Sequence, residues 1–414
     1  MFAKNYLQPQ IVALLTILGL SSLVGADQTP EGTLGDMLAA VKDNPELAVK
    51  RARGDAAKAN LDVLESYKSP KVSVTADGDL ISSEDEERVL EASIEQTLHD
   101  WGALDADLHE ADLRIQTETA ELDSVTRRIR QRVVNAYVAG LRATNLTSAL
   151  DQAIQDISEI ESVMARRVKQ NVSPATDLLL VKARSSQYLS SRIQAQGDLR
   201  DAQLQLIQLT GLKPRTDMTL GCEADYDERE MVQAAIDSST DILAERLRVE
   251  SALAQQDGLT ARQLPSIIGG VGFTENLDTS AGGSRAFISV RYDYDLGDRY
   301  EAELATLRAE AAEARFEEER LVQSTVRESA GLINTHRVER SRSEVLSDMI
   351  AIREEQLASM ARKFKAGQVS VIELMNVQQD LSDARAALVD SDAAACGALL
   401  NLEQLTDQAL RANR

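Results

Sequence analysis

One short sequence occurs twice in this chain, and this duplication restricts the possible folds more than any other feature. "MARRVKQNVSPATDLL" begins at Met164, and "MARKFKAGQVSVIELM" begins at Met360. When the two copies are continued without a gap, Gln208 aligns with Gln404. An internal repeat means that one structural unit is used more than once. We therefore predict a tandem duplication, with one unit over residues 27–220 and a second over residues 221–414.

The composition favours long helices over a compact globular core. The chain has 414 residues, 43% of them hydrophobic but only 3% aromatic, which is typical of helices packed side by side. Its 67 acidic residues outnumber its 45 basic ones, giving a net charge of −22. Because nucleic-acid binding needs clustered Lys and Arg, this charge argues against a nucleic-acid partner.

The N-terminus has the pattern of a secretory signal peptide. Lys4 is followed by an apolar stretch over residues 11–24, and small residues then precede a cleavage point after Ala26. A membrane anchor is the alternative, but a spanning helix usually needs about 20 apolar residues. We predict that residues 1–26 are removed and that the mature protein is exported.

Cysteine and histidine give no sign of a chemical site. Cys222 and Cys396 form no CxxC pair and do not match each other in the repeat. Export would allow a disulfide, but we expect the two thiols to be unpaired or only loosely paired. His99, His109 and His336 have no metal-binding or catalytic spacing, and we expect His99 to be structural. The chain is therefore predicted to have no catalytic residue, no metal site and no cofactor.

Long proline-free stretches predict one very long helix in each unit. These helices cover about residues 103–169 and 298–365, and at about 1.5 Å per residue each would be roughly 100 Å long. Asp298 and Glu301 resemble a capping box, with Asp in place of Ser or Thr. Basic side chains in the last turns complement the helix dipole: Arg166, Arg167 and Lys169 in the first unit, and Arg362, Lys363 and Lys365 in the second.

The repeated stretch itself predicts a tight turn between two helices. Asn171 and Gly367 tolerate the left-handed conformation that often ends a helix. Ser173 and Ser370 are expected N-caps, with Pro174 at the first helical position. Each unit is then completed by a return helix, over about residues 174–210 and 370–410. Apolar residues at heptad-like spacing in these helices are also typical of a coiled-coil tether or scaffold.

Four stretches with alternating apolar and polar residues predict β-strands. They cover about residues 71–80, 89–98, 265–274 and 286–296, and about ten residues suits a strand that crosses a membrane. A surface hairpin of a soluble protein is the alternative. Four strands cannot close a barrel in lipid, so several chains would each contribute four, and three chains would give twelve. Residues 82–88 and 275–285 are predicted extracellular loops.

The order of these elements and several motifs resemble the TolC family of outer-membrane channel proteins. The motifs are "DNPEL" in the first helix, "TLHDWG" and "YDLGDR" before the long helices, "NVSPATDL" and "GQVSVIEL" at the tips, and "QLIQLTG" and "NLEQLT" at the ends of the return helices. The resemblance covers nearly all of the mature chain. It implies a mainly α fold with a β-barrel part: a homotrimer with a 12-stranded transmembrane barrel, four strands per chain, and a long α-helical coiled-coil barrel.

The same resemblance implies a function without catalysis. It predicts an exit duct in the outer membrane of a Gram-negative cell, extending into the periplasm, for a tripartite efflux pump or a type I secretion system. Its partners would be a periplasmic adaptor (a membrane fusion protein) and, through it, an inner-membrane ABC or proton-driven transporter. Missing clusters of Met, His and Cys argue against dedicated export of soft metals. The alternative is a periplasmic coiled-coil scaffold that transports nothing.

The resemblance also assigns residues to a pore constriction. Glu373 would belong to an acidic ring, Asn376 to a second, neutral position, and Asp177 to a tie between helices. Phe364 and Val369 stand where the family has a tyrosine and an arginine, so the closed state would be held mainly by packing. Asp177 and Glu373 could equally be ordinary first-turn helix acids. The predicted adaptor-docking tips are Asn171, Val172, Ser173, Pro174, Gly367, Gln368, Val369 and Ser370.

Overall fold

The computed structural model describes residues 30–77, 89–215, 222–276, 281–293 and 297–409. The predicted signal peptide and the predicted loop at residues 82–88 lie outside the described residues. The helices are α1 (Leu34–Ala40), α2 (Pro45–Ser66), α3 (Ala103–Lys169), α4 (Ala175–Thr210), α5 (Glu228–Asp237), α6 (Thr240–Ala261), α7 (Arg299–Lys365) and α8 (Val371–Thr406). The strands are β1 (Glu31–Gly32), β2 (Lys71–Asp77), β3 (Val89–His99), β4 (Lys213–Pro214), β5 (Ser266–Asn276) and β6 (Gly282–Arg291).

Two helices of 67 residues and two of 36 residues dominate the structure. The long helices α3 and α7 have equal lengths, and so do the return helices α4 and α8. The two long helices begin differently. The Asp100 carboxylate accepts hydrogen bonds from the backbone N–H groups of Gly102 and Leu104, at 3.1 and 2.9 Å, and so satisfies donors at the start of α3.

The predicted capping box at the start of α7 is wrong. Asp298 has φ −81° and ψ 21°, whereas an N-cap residue that accepts from the first turn has an extended backbone. The side chain of Asp298 therefore does not cap α7. A sequence match to the capping pattern did not determine the backbone conformation on which the cap depends.

The long helices pack side by side in an order that changes along their length. In the part remote from the sheet, α3 lies between α4 and α8, and α8 lies between α3 and α7. In the part nearer the sheet, α6 replaces α8 between α3 and α7, and α2 packs on the other side of α3. The outermost helices of the tip half are therefore α4 and α7.

A mid-length core joins both halves of the chain. It contains fully buried residues of α1, α3, α4 and α8, for example Met37, Val133, Leu206 and Leu400. Complete burial of a side chain of this size contributes about 1.5–3 kcal/mol. A second core lies between the mid-length core and the helix ends farthest from the sheet, and it includes Phe364.

Cys222 and Cys396 form a disulfide, so the expectation that they are unpaired is wrong. Their Cα atoms are 4.9 Å apart, although 174 residues separate them in the chain. The repeat gave no reason to pair them because Cys222 lies in the connection that follows α4, whereas Cys396 lies within α8. This connection folds back onto α8 and brings the sulfur atoms together in the mid-length core.

Four strands form one antiparallel sheet in the order β2-β3-β5-β6. Val72, Ile94, Val271 and Ala286 form a continuous cross-strand row, and its three larger members are exposed. On the opposite face, the Oγ atoms of Ser73 and Ser93 lie 2.7 Å apart. Within the described residues, β2 and β6 each have a strand neighbour on one side only.

The last strand differs from its prediction. β6 begins at Gly282, before its predicted start at residue 286, and ends at Arg291, and β5 continues to Asn276. Residues 294–296 of the predicted strand lie outside the described residues. Glu275 pairs with Gly282, and the N–H of Asn276 donates to the carbonyl of Ala281 at 2.9 Å. Residues 275, 276 and 282–285 of the predicted loop are therefore strand, and residues 277–280 lie outside the described residues. The glycines were interpreted as a loop, but glycine does not exclude a strand, and Gly282 and Gly283 pair with β5.

Among the described residues, every helix is too short or too polar to cross a lipid bilayer. The same part of the chain contains no group of three or more His, Cys, Asp or Glu side chains placed to hold a metal ion.

Candidate functional site

The helix ends farthest from the sheet form two turns with the same backbone geometry. Asn171 has φ 56° and Gly367 has φ 76°, so the prediction of two left-handed residues is confirmed. In the first turn the N–H groups of Asn171 and Val172 donate to the carbonyls of Val168 and Arg167. Those of Gly367 and Gln368 donate to the carbonyls of Phe364 and Lys363. Both turns are therefore Schellman motifs, which satisfy the last helical carbonyls.

Ser370 is the N-cap residue of the return helix α8, as predicted, and with Glu373 it forms a complete capping box. The Ser370 Oγ accepts from the N–H of Glu373 at 3.2 Å, and the Glu373 carboxylate accepts from the N–H of Ser370 at 2.9 Å. Each residue thereby satisfies a backbone donor of the other. The side chain of Glu373 is exposed, and its carboxylate also binds the backbone of Ser370.

The return helix α4 begins differently, and two predictions for it are wrong. Pro174 is the N-cap residue, with an extended ψ of 149°, and the helix starts at Ala175. Ser173 is not the cap; its Oγ instead accepts a hydrogen bond from Arg167 Nε at 3.1 Å. Proline in an extended conformation leaves the cap position without a side-chain oxygen that could accept from the first turn.

Arg167 joins the first turn to the second. Its Nη1 donates to the carbonyl oxygen of Phe364 at 2.9 Å, and its guanidinium carbon lies 4.9 Å from the centroid of the Phe364 ring. A guanidinium over an aromatic face is attracted by the ring quadrupole. From the sequence, Arg167 was interpreted only as a charge at a helix end. The repeat aligns Arg167 with Lys363, and Phe364 with Val168, so it gave no signal for this contact.

The residues assigned to the constriction occupy different environments. Glu373 and Asn376 are both exposed and lie three residues apart on one face of α8. Asp177 is half-buried in the first turn of α4. Phe364 is only 4% exposed and packs in the core between the helices, so within one protomer its ring contributes to packing.

Two apolar side chains are exposed at the tips. Val172 is 61% exposed and Ile372 is 54% exposed. Val369 is half-buried against the tip core, and Val371 is buried, so these two valines support the turn from inside. Ile372 was missed by the sequence analysis, because nothing in its local sequence separates it from the buried valine beside it.

A polar layer lies within the helices above the tips. Gln378 of α8 is fully buried, and its Nε2 lies 3.4 Å from the Asp156 carboxylate of α3. Arg385 of α8 contacts Asp156 at 3.3 Å and Glu354 of α7 at 2.7 Å. The layer therefore links α3, α7 and α8 through charged groups. A shift of one of these helices against another would change the distances between those groups.

Comparisons with known proteins agree with this geometry. The family model described as "Outer membrane efflux protein" matches residues 39–212 and again residues 231–408. The outer membrane efflux protein BepC of Brucella suis biovar 1 (strain 1330) is 22% identical over 398 residues, which cover 92% of this chain and 87% of BepC.

Solved structures resemble the fold over almost the whole chain. The outer membrane protein VceC of Vibrio cholerae has a TM-score of 0.79 and 16% identity, covering 91% of this chain and 97% of VceC. The MtrE outer membrane channel of Neisseria gonorrhoeae, in its open state, has a TM-score of 0.76 and 14% identity, covering 91% of this chain and 89% of MtrE.

Proposed function

The chain belongs to the outer membrane efflux protein family and is an efflux channel of the outer membrane, and from this premise we propose that it is the exit duct of a tripartite pump. The observation that carries the proposal is the separation of two surfaces. A sheet with an exposed apolar face lies at one end of the long helices, and the paired tips lie at the other. At about 1.5 Å per residue, these helices separate the two ends by roughly 100 Å. The channel itself catalyses no reaction.

We propose that three copies assemble into a ring. Two edge strands, β2 and β6, would pair between copies and close a 12-stranded barrel, which lipid requires because it cannot solvate an open edge. The outermost helices support the same arrangement. On α7, Val338, Val345 and Ile352 are exposed at seven-residue spacing, and α4 exposes Leu179 and Ile193. Since the two edges of a protomer differ, their contact is head-to-tail and closes by rotation.

The tips would then form the periplasmic mouth at which the adaptor docks. Val172 and Ile372 offer exposed apolar contacts beside the two turns, and Glu373 would contribute one carboxylate per copy to a ring that favours cations. An inner-membrane ABC or proton-driven transporter would act through the adaptor. The family is one of efflux proteins, and the relative BepC is an efflux protein, which supports a pump in preference to type I secretion.

Conductance and assembly test this proposal together. The purified mature protein, reconstituted in a planar lipid bilayer, should conduct ions, and mass photometry in detergent should show trimers. Val345→Glu should lower the trimer fraction by placing a charge in the contact between copies. Ser347→Glu, at an exposed position about 200° further around α7, should leave it unchanged. A protein that remained monomeric and did not conduct would be a scaffold, and the proposal would be wrong.

A further inference from the structure

A short connection between the two halves of the chain is fixed at both of its ends. Residues 222–226, which we term the strap, precede α5 and are neither helix nor strand. At one end, the disulfide joins Cys222 to Cys396 of α8. Cys396 is 1% exposed and belongs to the mid-length core. This first attachment is covalent and buried.

The second attachment of the strap is a buried histidine of α7. His336 is 4% exposed. Its Nε2 lies 3.2 Å from the carbonyl oxygen of Cys222, and its Nδ1 lies 2.8 Å from the hydroxyl of Tyr226. A carbonyl oxygen can only accept, so in the neutral ring Nε2 carries the proton and donates to it. Nδ1 is then the acceptor for the Tyr226 hydroxyl, and both ring nitrogens bind the strap.

Packing reinforces the two ends separately. Cys222 lies against the mid-length core, whereas Tyr226 packs with Met231, Ile333 and Leu402 in a different cluster formed by α5, α7 and α8. Burial raises the pKa of the Tyr226 hydroxyl. The hydroxyl therefore keeps the proton that it donates to His336. The strap thus binds α8 through the disulfide of Cys222, and it binds α7 through both Cys222 and Tyr226.

We propose that the strap is a clamp that holds α7 and α8 together at mid-length, so that only the part of this helix pair between the clamp and the tip can move when the channel opens. At about 1.5 Å per residue, His336 lies roughly 44 Å from the end of α7, and Cys396 lies roughly 38 Å from the start of α8. The two attachment points are therefore at similar distances from the tip. The role of the clamp in channel opening rests on the proposed function. The existence of the clamp does not.

Hydrogen exchange measured by mass spectrometry on the reconstituted protein tests the clamp. The variant with both Cys222→Ala and Cys396→Ala should exchange about tenfold faster around residue 396 of α8 and also around residue 336 of α7, because opening of one end releases both helices. Tyr226→Phe removes only the hydrogen bond between Tyr226 and His336. It should raise exchange in the same two regions by a smaller factor. Peptides at the tips should change little.

Combination of the variants separates a clamp from two independent contacts. If the strap acts as one element, adding Tyr226→Phe to the cysteine variant should give less than the product of the separate effects. Ala398→Ser, a buried change on α8 outside the strap, should affect α8 alone. Faster exchange restricted to α8 in the cysteine variant, or multiplicative effects in the combination, would overturn the clamp. Should the cysteine variant not fold, an effect of Tyr226→Phe on α7 but not on α8 would overturn it. A wild-type protein that does not conduct would contradict the proposed function and leave these exchange results valid.

Discussion

Arg167 and Phe364 connect the two helical tips of one protomer, through a hydrogen bond of 2.9 Å to the Phe364 carbonyl and a guanidinium 4.9 Å from the ring centroid. The same arginine binds Ser173 in its own turn. Since α3 and α7 belong to different halves of the chain, this contact resists separation of the two hairpins at the end where the pore is proposed to open.

We expect Arg167→Lys to loosen the closed tips. Lysine retains the charge but lacks the planar group that binds Ser173, the Phe364 carbonyl and the Phe364 ring together. The loss should be about 1–2 kcal/mol and should increase the open fraction in single-channel recordings. Arg166→Lys, at an exposed neighbouring position, is the control. An equal increase in both variants would show that the Phe364 contact is not responsible.

Gly367→Val should impair the second tip without preventing assembly. A Cβ at this position would meet no atom within 4 Å, so the cost comes from the backbone, at φ 76°. For a β-branched residue this strain is about 1–2 kcal/mol. Export should fall while the trimer remains in the outer membrane.

Gly367→Asn is the matched control for that change. Asparagine adopts the left-handed conformation more readily, and Asn171 does so at the equivalent position of the first tip. This variant should export almost normally. A Gly367→Val protein that exports normally but fails to form trimers would make the tip an assembly element and contradict the docking proposal.

Two variants of Glu373 separate its charge from its role as a cap. Gln can replace Glu in a capping box, so Glu373→Gln should weaken the cation preference of the pore while α8 keeps its start. Glu373→Ala should lose both the cation preference and the cap, and its free energy of unfolding should fall by about 0.5–1 kcal/mol. Ser370→Ala should lose stability but keep the cation preference. Reversal potentials in a salt gradient and thermal midpoints measure the two properties. An unchanged reversal potential in both Glu373 variants would exclude Glu373 from the constriction.

Glu121 should make stability depend on pH below the ordinary range of glutamate. Burial raises the pKa of this α3 carboxyl, but hydrogen bonds from Lys50 of α2 and Arg248 of α6 outweigh burial, and the pKa is lowered. A lowered acid pKa contributes stability above the unfolded-state value of about 4.3, and this contribution is lost as pH falls through the folded-state pKa.

The Glu121→Gln variant measures that contribution. At neutral pH it should be less stable by about 1–2 kcal/mol, between the values of exposed and buried ion pairs, and its deficit in thermal midpoint should shrink as the pH falls below about 4.3. Glu159→Gln, at an exposed position of the same helix, removes a carboxylate that makes neither of these ion pairs and is the control. A deficit that stays constant down to acid pH would mean that the ion pairs do not stabilise the fold.

The long helices were predictable because their limits depend on neighbouring residues. α3 has the bounds that the sequence predicts, and α7 begins one residue later. Each is free of proline, ends in basic residues and is followed by Asn171 or Gly367, so the local chemistry determines where each helix ends. β6 was harder to place, since a glycine-rich run is compatible with a loop and with a strand.

Contacts between distant parts of the chain were not predictable from periodicity. The disulfide of Cys222 with Cys396, the binding of His336 to the strap, and the contact of Arg167 with Phe364 each join segments more than 100 residues apart. They depend on which helix lies beside which, and a hydrophobic pattern gives only the buried face of each helix. Within one local motif, the role of Glu373 as a cap was foreseeable from its spacing to Ser370.

The distance between the sheet and the tips has a genetic consequence. A chain with a damaged tip keeps the edges with which it would join other copies, so it would still enter mixed assemblies. If wild-type and Gly367→Val chains are made in equal amounts and combine at random in threes, only about one assembly in eight would contain three intact tips. Tip mutations should therefore be dominant over the wild-type allele, whereas mutations that block strand pairing should be recessive, because their products are excluded from the ring.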